Sequence, residues 1–164
     1  MEEDRQKKWE MVFAPRMRQI VPDLFLGNVK ASFQGDMLRD NGINSMLSLT
    51  DGRWDLLTQL ENICDFIDQV ASPTLLSSYS LSTHPDNGSY GEMLNGSTDI
   101  SNAIIIHCDL GISRSPTFII AYLMRKYGMK RDEVTAFVQS KQKIKPNPNF
   151  AKWIFPIKAL QRDI

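Results

Sequence analysis

Apolar residues recur along the chain at spacings that switch between strand-like and helix-like. A short apolar run at 24–26 ends in a Gly-Asn pair, which predicts a strand or hairpin with a turn. The segment 43–52 alternates apolar positions and ends in Asp-Gly, so it predicts another strand followed by a turn. Between them, residues 32–43 (SFQGDMLRDNGI) predict a short helix that ends at an Asn-Gly pair.

Stronger helical patterns follow in the rest of the chain. Apolar residues at three- and four-residue steps predict an amphipathic helix that begins at Asp55, a suitable N-cap, with Cys64 beside the apolar stripe as a small core residue. The stripe consists of Leu56, Leu60, Ile63, Ile67 and Val70. The uniform apolar run 103–106 predicts a buried strand. A helix that is apolar nearly all round follows and ends at Gly128, and a further helix is predicted over 130–143.

This alternation of strands and helices predicts an α/β domain with a central, mostly parallel sheet flanked by helices. We expect a single domain over 20–160, preceded by a charged N-terminal extension at 1–19 that forms a surface helix. The segment 71–102 is rich in Ser, Gly and Asn and has no sustained period. It therefore predicts a polar insertion within the domain, because so long an aperiodic connection is unusual in a compact fold.

Composition narrows the classes of partner. The 164 residues include 19 basic and 19 acidic side chains, and the zero net charge argues against a general polyanion-binding surface and a nucleic-acid partner. The charged N-terminus does not resemble a signal peptide, and no apolar run approaches the ~20 residues that span a bilayer. We therefore expect free cysteines in a reducing compartment, the cytoplasm or the nucleus, and no membrane partner. No cluster at metal-ligand spacing occurs, so neither a metal nor another cofactor is expected.

Candidate chemistry concentrates in residues 103–124 (AIIIHCDLGISRSPTFIIAYLM), where a cysteine and an arginine stand at the two ends of a short loop. The loop joins a predicted strand to a predicted helix, and ligands of open α/β sheets bind at such loops. Ser115-Pro116 predicts the helix start, since Ser favours the N-cap and Pro the first helical position. The helix N-terminus and inward-pointing amides suit an anion, and Gly111 allows the backbone to curl round it.

The two ends of this loop suit phosphoryl transfer. A site that favours an anion also favours a thiolate, so we expect the pKa of Cys108 to fall well below that of a free cysteine. A thiolate is a strong nucleophile, and Arg114 can offer two donors to the oxygens of a phosphate. Phosphoryl transfer requires mainly positioning and charge neutralisation, which backbone amides and Arg114 supply without a metal.

The loop sequence HCDLGISRS resembles the His-Cys-five-residues-Arg signature of the cysteine-dependent protein tyrosine phosphatase superfamily, and its Gly-x-Ser-Arg-Ser ending resembles the dual-specificity branch. The likeness extends to IVPDLFLGN, LRDNGINSMLSL, AYLMRKYGM and KPNPNF, and so covers about 20–50 and 103–150. It implies a small, atypical dual-specificity phosphatase with a three-layer fold. It also implies that Cys108 is the phosphocysteine nucleophile, Arg114 the phosphate clamp, and Ser115 the hydroxyl that helps the thiolate to leave. It further implies that His107 orients the loop and tunes the cysteine, and that His107 is not a general base. The implied phosphate-binding amides are those of Asp109, Leu110, Gly111, Ile112, Ser113 and Arg114.

Substrate class follows from the other residues of the loop. Phosphoinositide phosphatases of the superfamily tend to carry lysines here, whereas this loop carries Asp109, Leu110 and Ile112. The implied partner is therefore a phosphorylated protein, dephosphorylated at phosphotyrosine and at phosphoserine or phosphothreonine.

The general acid of such an enzyme is an aspartate on a loop ahead of the helix that begins near Asp55. Only DGRWD separates that helix from strand 43–50, so the sheet is expected to lack one strand. Asp51 is the favoured acid and Asp55 the second candidate. Two functions follow: an active dual-specificity phosphatase, or a phosphate-binding or scaffolding relative with little turnover.

Overall fold

The computed structural model describes residues 2–49, 56–71 and 102–146. The predicted acids, and the predicted insertion apart from Ala71 and Asn102, lie outside these ranges. The helices and strands in chain order are α1 Glu2–Phe13, β1 Met17–Val21, β2 Leu24–Asn28, α2 Val29–Ser32, α3 Gly35–Asp40, β3 Ile43–Ser48, α4 Leu56–Val70, β4 Ala103–Cys108, α5 Arg114–Tyr127 and α6 Arg131–Lys141. In the described part of the chain, no helix is both long and apolar enough to cross a membrane.

The strands form one mixed sheet in the order β1-β2-β4-β3. β4 pairs in parallel with both β2 and β3, and the β1–β2 pair is the antiparallel one among the described strands, which confirms a mostly parallel sheet. The hairpin turn differs from the prediction. It lies ahead of β2, where Asp23 has a φ of 64°, and β2 itself continues through Gly27 and Asn28. Asn28 then caps α2, because its side chain accepts a hydrogen bond from the amide of Ala31.

Helices cover both faces of this sheet, so the predicted three-layer arrangement is confirmed. Alternate residues of β4 point to opposite faces. Ile104 and Ile106 pack in the larger apolar cluster with α4, α5 and α6, whereas Ala103 and Ile105 pack in a smaller one with α2 and α3. Every residue of β4 is buried, which explains why its apolar run is uniform rather than alternating.

The two long helices next to β4 follow their predicted patterns. In α4, Leu60, Ile63 and Ile67 are buried, and Cys64 is a core residue as predicted. α5 is buried over most of its length and ends at Gly128, whose φ of 64° suits the left-handed cap. At the other end of the chain, β1 begins at Met17, inside the range predicted as an N-terminal extension.

Candidate active site

The cysteine–arginine loop begins where two neighbouring strands end. Cys108 is the last residue of β4, and its partner across the sheet is Asn28, the last residue of β2. Because these strands are parallel, their carboxyl ends meet at one edge of the sheet, and the loop 109–113 lies there before α5 begins.

The start of α5 differs from the prediction. Ser115 and Pro116 were expected at the N-cap and first helical position, but α5 begins at Arg114, with Ser113 at the N-cap and no side-chain capping bond. Ser115 therefore lies inside the first turn, fully buried, and its Oγ is 3.2 Å from the Sγ of Cys108. Its hydroxyl interacts with the sulfur and does not cap the helix.

Burial and hydrogen bonding have opposite effects on the pKa of the Cys108 thiol. Burial raises the pKa of this thiol, but hydrogen bonds from the Ser115 hydroxyl and from the amides of Ser115, Gly111 and Ser113 lower it by more, so the net pKa is lowered. The amide nitrogen of Gly111 lies 3.3 Å from Sγ. The predicted direction of the pKa shift is therefore confirmed.

Gly111 is required by both its conformation and its surroundings. Its φ of 67° is the left-handed region that side chains disfavour. A Cβ at this position would lie 2.6 Å from the carbonyl oxygen of Gly27. The loop therefore rests directly on the backbone of β2, which explains how it curls as tightly as the sequence predicted.

Four consecutive carbonyl groups of the loop, those of residues 109–112, each accept a hydrogen bond from outside it. The donors are the amide of Val29 (3.2 Å) and the guanidinium Nη2 of Arg16 (2.7 Å), then Nε2 of Gln142 (2.9 Å) and the amide of Lys145 (2.8 Å). We call these four groups the outer donors. They come from distant parts of the chain and hold the loop from its outer side.

Holding the carbonyls outward directs the amides inward. In a trans peptide the C=O of one residue and the N–H of the next point in opposite directions. The amides of residues 110–113 therefore point toward the inside of the loop, and the amide of Gly111 does donate to the sulfur of Cys108. Such a ring of amides at a helix N-terminus suits an anion.

Arg114 lines the same pocket as Cys108, and two of its nitrogens donate to neighbouring acceptors. Its Nη1 donates to the carbonyl of Leu49 at 3.1 Å, and its Nη2 forms an ion pair with the carboxylate of Asp109 at 2.8 Å. The side chain is 29% exposed, so the guanidinium can reach a bound ligand.

An open pocket of about 440 Å³ lies over the loop. The residues that line it are Cys108, Asp109, Leu110, Ile112, Ser113, Arg114, Lys145 and Pro146. The structure thus brings together the predicted loop residues, with Gly111 and Ser115 directly at the sulfur. Lys145 was not singled out from the sequence, although KPNPNF, which contains it, was recognised as part of the resemblance.

Two further points concern the neighbourhood of the loop: the state of His107 and the capacity to bind a metal ion. Burial lowers the pKa of His107, which favours a neutral imidazole. Its buried Nδ1 has no hydrogen-bond partner among the described residues. Within 2–49, 56–71 and 102–146, no group of three or more His, Cys, Asp or Glu side chains could hold a metal ion.

Comparison with known proteins connects this chain to one family. The model of the dual specificity phosphatase catalytic domain matches residues 24–159. Human dual specificity protein phosphatase 8 is 30% identical over 135 residues, covering 82% of this chain and 21% of that protein. The human serine/threonine/tyrosine-interacting protein is 27% identical over 161 residues, covering 88% of this chain and 65% of the relative. The solved structure of DUSP15 is similar with a TM-score of 0.64 at 19% identity, covering 88% of this chain and 90% of that one.

Proposed function

Because the chain belongs to the dual specificity phosphatase family, we propose that it hydrolyses phosphotyrosine and phosphoserine or phosphothreonine monoesters of proteins through a phosphocysteine intermediate. The observation that carries this proposal is the environment of Cys108. Its sulfur lies within hydrogen-bonding distance of the Ser115 hydroxyl and the Gly111 amide, in a pocket that Arg114 also lines.

The proposed reaction begins with binding of the phosphate dianion. The inward amides of the loop and the guanidinium of Arg114 neutralise its oxygens. The Cys108 thiolate then attacks phosphorus, so that an S–P bond forms and the P–O bond to the substrate breaks. The leaving oxygen takes a proton from a general acid, for which Asp51 is the leading candidate and Asp55 the second.

Hydrolysis of the phosphocysteine completes the cycle. A water oxygen attacks phosphorus and gives a proton to the carboxylate that the first step left deprotonated, the S–P bond breaks, and inorganic phosphate leaves. The departing sulfur carries the bonding electron pair as a thiolate. Ser115 stabilises that charge, because its hydroxyl lies 3.2 Å from the sulfur and can donate to it. The two steps use the same loop and require no metal.

Phosphorylated proteins are the proposed substrates. Human dual specificity protein phosphatase 8 is named as a protein phosphatase. The loop 109–113 carries no lysine that would meet additional phosphates of a lipid headgroup, and Lys145 is the lysine among the described residues that line the pocket. The chain spans about a fifth of the length of human dual specificity protein phosphatase 8, so this proposal concerns the matched domain.

Turnover of an aryl phosphate and of phosphopeptides by wild type and by Cys108→Ser tests this function. We expect hydrolysis by the wild type only, and rapid acid quench should trap one phosphate on Cys108, detectable by mass spectrometry. Equal hydrolysis by both proteins would show that Cys108 is not the nucleophile.

A second candidate is a phosphate-binding or scaffolding protein on the same fold with little turnover. It is favoured by the similarity to a solved structure described as tyrosine phosphatase-like, with a TM-score of 0.62 over 88% of this chain. Calorimetric binding of tungstate, without turnover of even an activated aryl phosphate, would select this candidate. Turnover of phosphopeptides selects the first.

A further inference from the structure

The pocket lining includes a carboxylate that is paired with Arg114, the residue proposed to bind phosphate. Asp109 lines the pocket and its Oδ2 lies 2.8 Å from Nη2 of Arg114. The side chain of Asp109 is 52% exposed, so its charge faces the solvent from which a phosphate would enter. The site therefore places an internal anion where a ligand anion is expected to bind.

We propose that Asp109 competes with phosphate for Arg114 and thereby weakens the affinity of the pocket for phosphate. This inference rests on the proposed function, because it assumes that Arg114 binds phosphate. A bidentate grip uses two donors of the guanidinium fork. Both terminal nitrogens of Arg114 already have acceptors, Nη1 at the carbonyl of Leu49 and Nη2 at Asp109. Of these two acceptors, Asp109 is the one with a negative charge and an exposed side chain that can move away.

The charges of the pocket lining also favour competition between Asp109 and phosphate. Among the described residues that line the pocket, Arg114 and Lys145 carry positive charges and Asp109 carries a negative one. The Cys108 thiolate adds a further negative charge, which leaves the lining with no net positive charge for a phosphate dianion. Removing the carboxylate would leave one excess positive charge, and it would also remove a like charge close to the ligand.

A positioning role for Asp109 predicts a change in phosphate affinity of the opposite sign. If Asp109 serves chiefly to hold Arg114 in place for phosphate, its removal loosens the clamp and weakens binding. If it competes with phosphate, its removal strengthens binding. The sign of the change in affinity therefore distinguishes competition from positioning, and a general loss of structure would only weaken binding.

The test is calorimetric titration of inorganic phosphate and vanadate into wild type, Asp109→Asn and Asp109→Ala. We expect both variants to bind about fivefold more tightly, a modest factor because the pair is exposed. Asp36→Asn is the matched control, since Asp36 forms a similar exposed pair with Arg39, at 2.9 Å, away from the pocket lining. That control should bind as the wild type does.

Kinetics on an aryl phosphate add a second readout. We expect the Asp109 variants to lower KM more than they change kcat, because the competitor acts before chemistry. Unchanged or weaker phosphate binding in both variants would overturn the role of Asp109 while leaving the proposed function intact. If neither the wild type nor any variant binds phosphate or vanadate, both the proposed function and this inference are overturned.

Discussion

At the scale of single residues, the two cysteines have opposite chemistry although both are buried. Burial raises the pKa of Cys64 to about 11, and the nearby carboxylates of Asp65 and Asp68 add to this effect, although Arg125 opposes it. At Cys108, hydrogen bonds to the sulfur outweigh burial and lower the pKa. The difference arises from the donors of the loop and of the first turn of α5 around Cys108, whereas at Cys64 the hydrogen bond from Arg125 does not outweigh burial.

This contrast predicts selective alkylation. Only a thiolate reacts, so a lowered pKa means that Cys108 reacts with iodoacetamide at a lower pH than an ordinary cysteine does. We expect peptide mapping to find Cys108 labelled at neutral pH and Cys64 unlabelled. Ser115→Ala removes one donor to the sulfur and should shift the alkylation profile of Cys108 to higher pH. Labelling of both cysteines at equal rates would contradict the assigned environments.

A second prediction at this scale concerns the guanidinium of Arg114. Arg114→Lys keeps the charge but replaces the planar guanidinium, which offers two parallel donors, with a compact ammonium group. The rate of aryl phosphate hydrolysis should therefore fall by ~10²-fold or more. The control is Arg39→Lys, which changes the exposed pair with Asp36 in the same way and should leave turnover unchanged. Wild-type turnover in Arg114→Lys would exclude the clamp.

At the scale of elements, the loop depends on a close approach to β2 that only glycine allows. Gly111→Ala would place a Cβ 2.6 Å from the Gly27 carbonyl oxygen, in addition to the strain of a φ of 67°. Gly128→Ala is the matched control, since Gly128 has a φ of 64° but no atom within 4 Å of the built Cβ. We expect the control to lower the free energy of unfolding by about 1 kcal/mol. Gly111→Ala should cost more and should also abolish turnover, as urea unfolding and aryl phosphate assays would show. Equal costs would mean that the loop can move away from β2.

The outer donors give a further prediction for the loop. Arg16→Ala removes the hydrogen bond to the Leu110 carbonyl, so the amide of residue 111 should lose its fixed direction and KM should rise several-fold. The control Arg18→Ala removes an exposed side chain whose Nη1 donates to the adjacent carbonyl of Met17 and to no other group in the described part of the chain, and it should have no effect. An unchanged KM in Arg16→Ala would show that the other outer donors suffice.

The elements also show which features a sequence can predict. α4 and β4 were predictable because their apolar periodicity depends on neighbours close in the chain. The outer donors were not, since Arg16 lies 94 residues from Leu110 and Gln142 lies 31 from Gly111. The start of α5 was placed late because local preference favoured Ser115 at the N-cap. Contact with the sulfur of Cys108, which is a tertiary interaction, gives that hydroxyl a different partner.

At the scale of the whole molecule, β4 belongs to the core and to the site at once. Its isoleucines pack in both apolar clusters, and its last residue is Cys108. Removing core volume from β4 should therefore destabilise the fold and the loop together. The sequence predicted this arrangement, because the signature begins directly after the uniform apolar run 103–106.

Ile106→Ala tests the contribution of β4. Ile106 is fully buried in the larger cluster, so the substitution should lower the free energy of unfolding by about 2–5 kcal/mol, measured by urea denaturation. Phe33→Ala removes a larger side chain that is 77% exposed, and the change should stay within ~0.5 kcal/mol. Comparable losses in both variants would contradict the burial pattern.

The outward carbonyls of the loop also determine which positions tolerate substitution. The groups that face the inside of the loop belong to the main chain, which every amino acid except proline supplies. Leu110 is 40% exposed, and its side chain contributes no hydrogen bond to the loop in the described residues. Saturation mutagenesis should therefore find position 110 permissive and position 111 restricted to glycine. Asn28, buried between the loop and α2 with its side chain bonded to three backbone groups, should be almost as restricted. Sequence drift would then be faster at Leu110, whose side chain lines the pocket, than at Asn28, which is absent from the described lining.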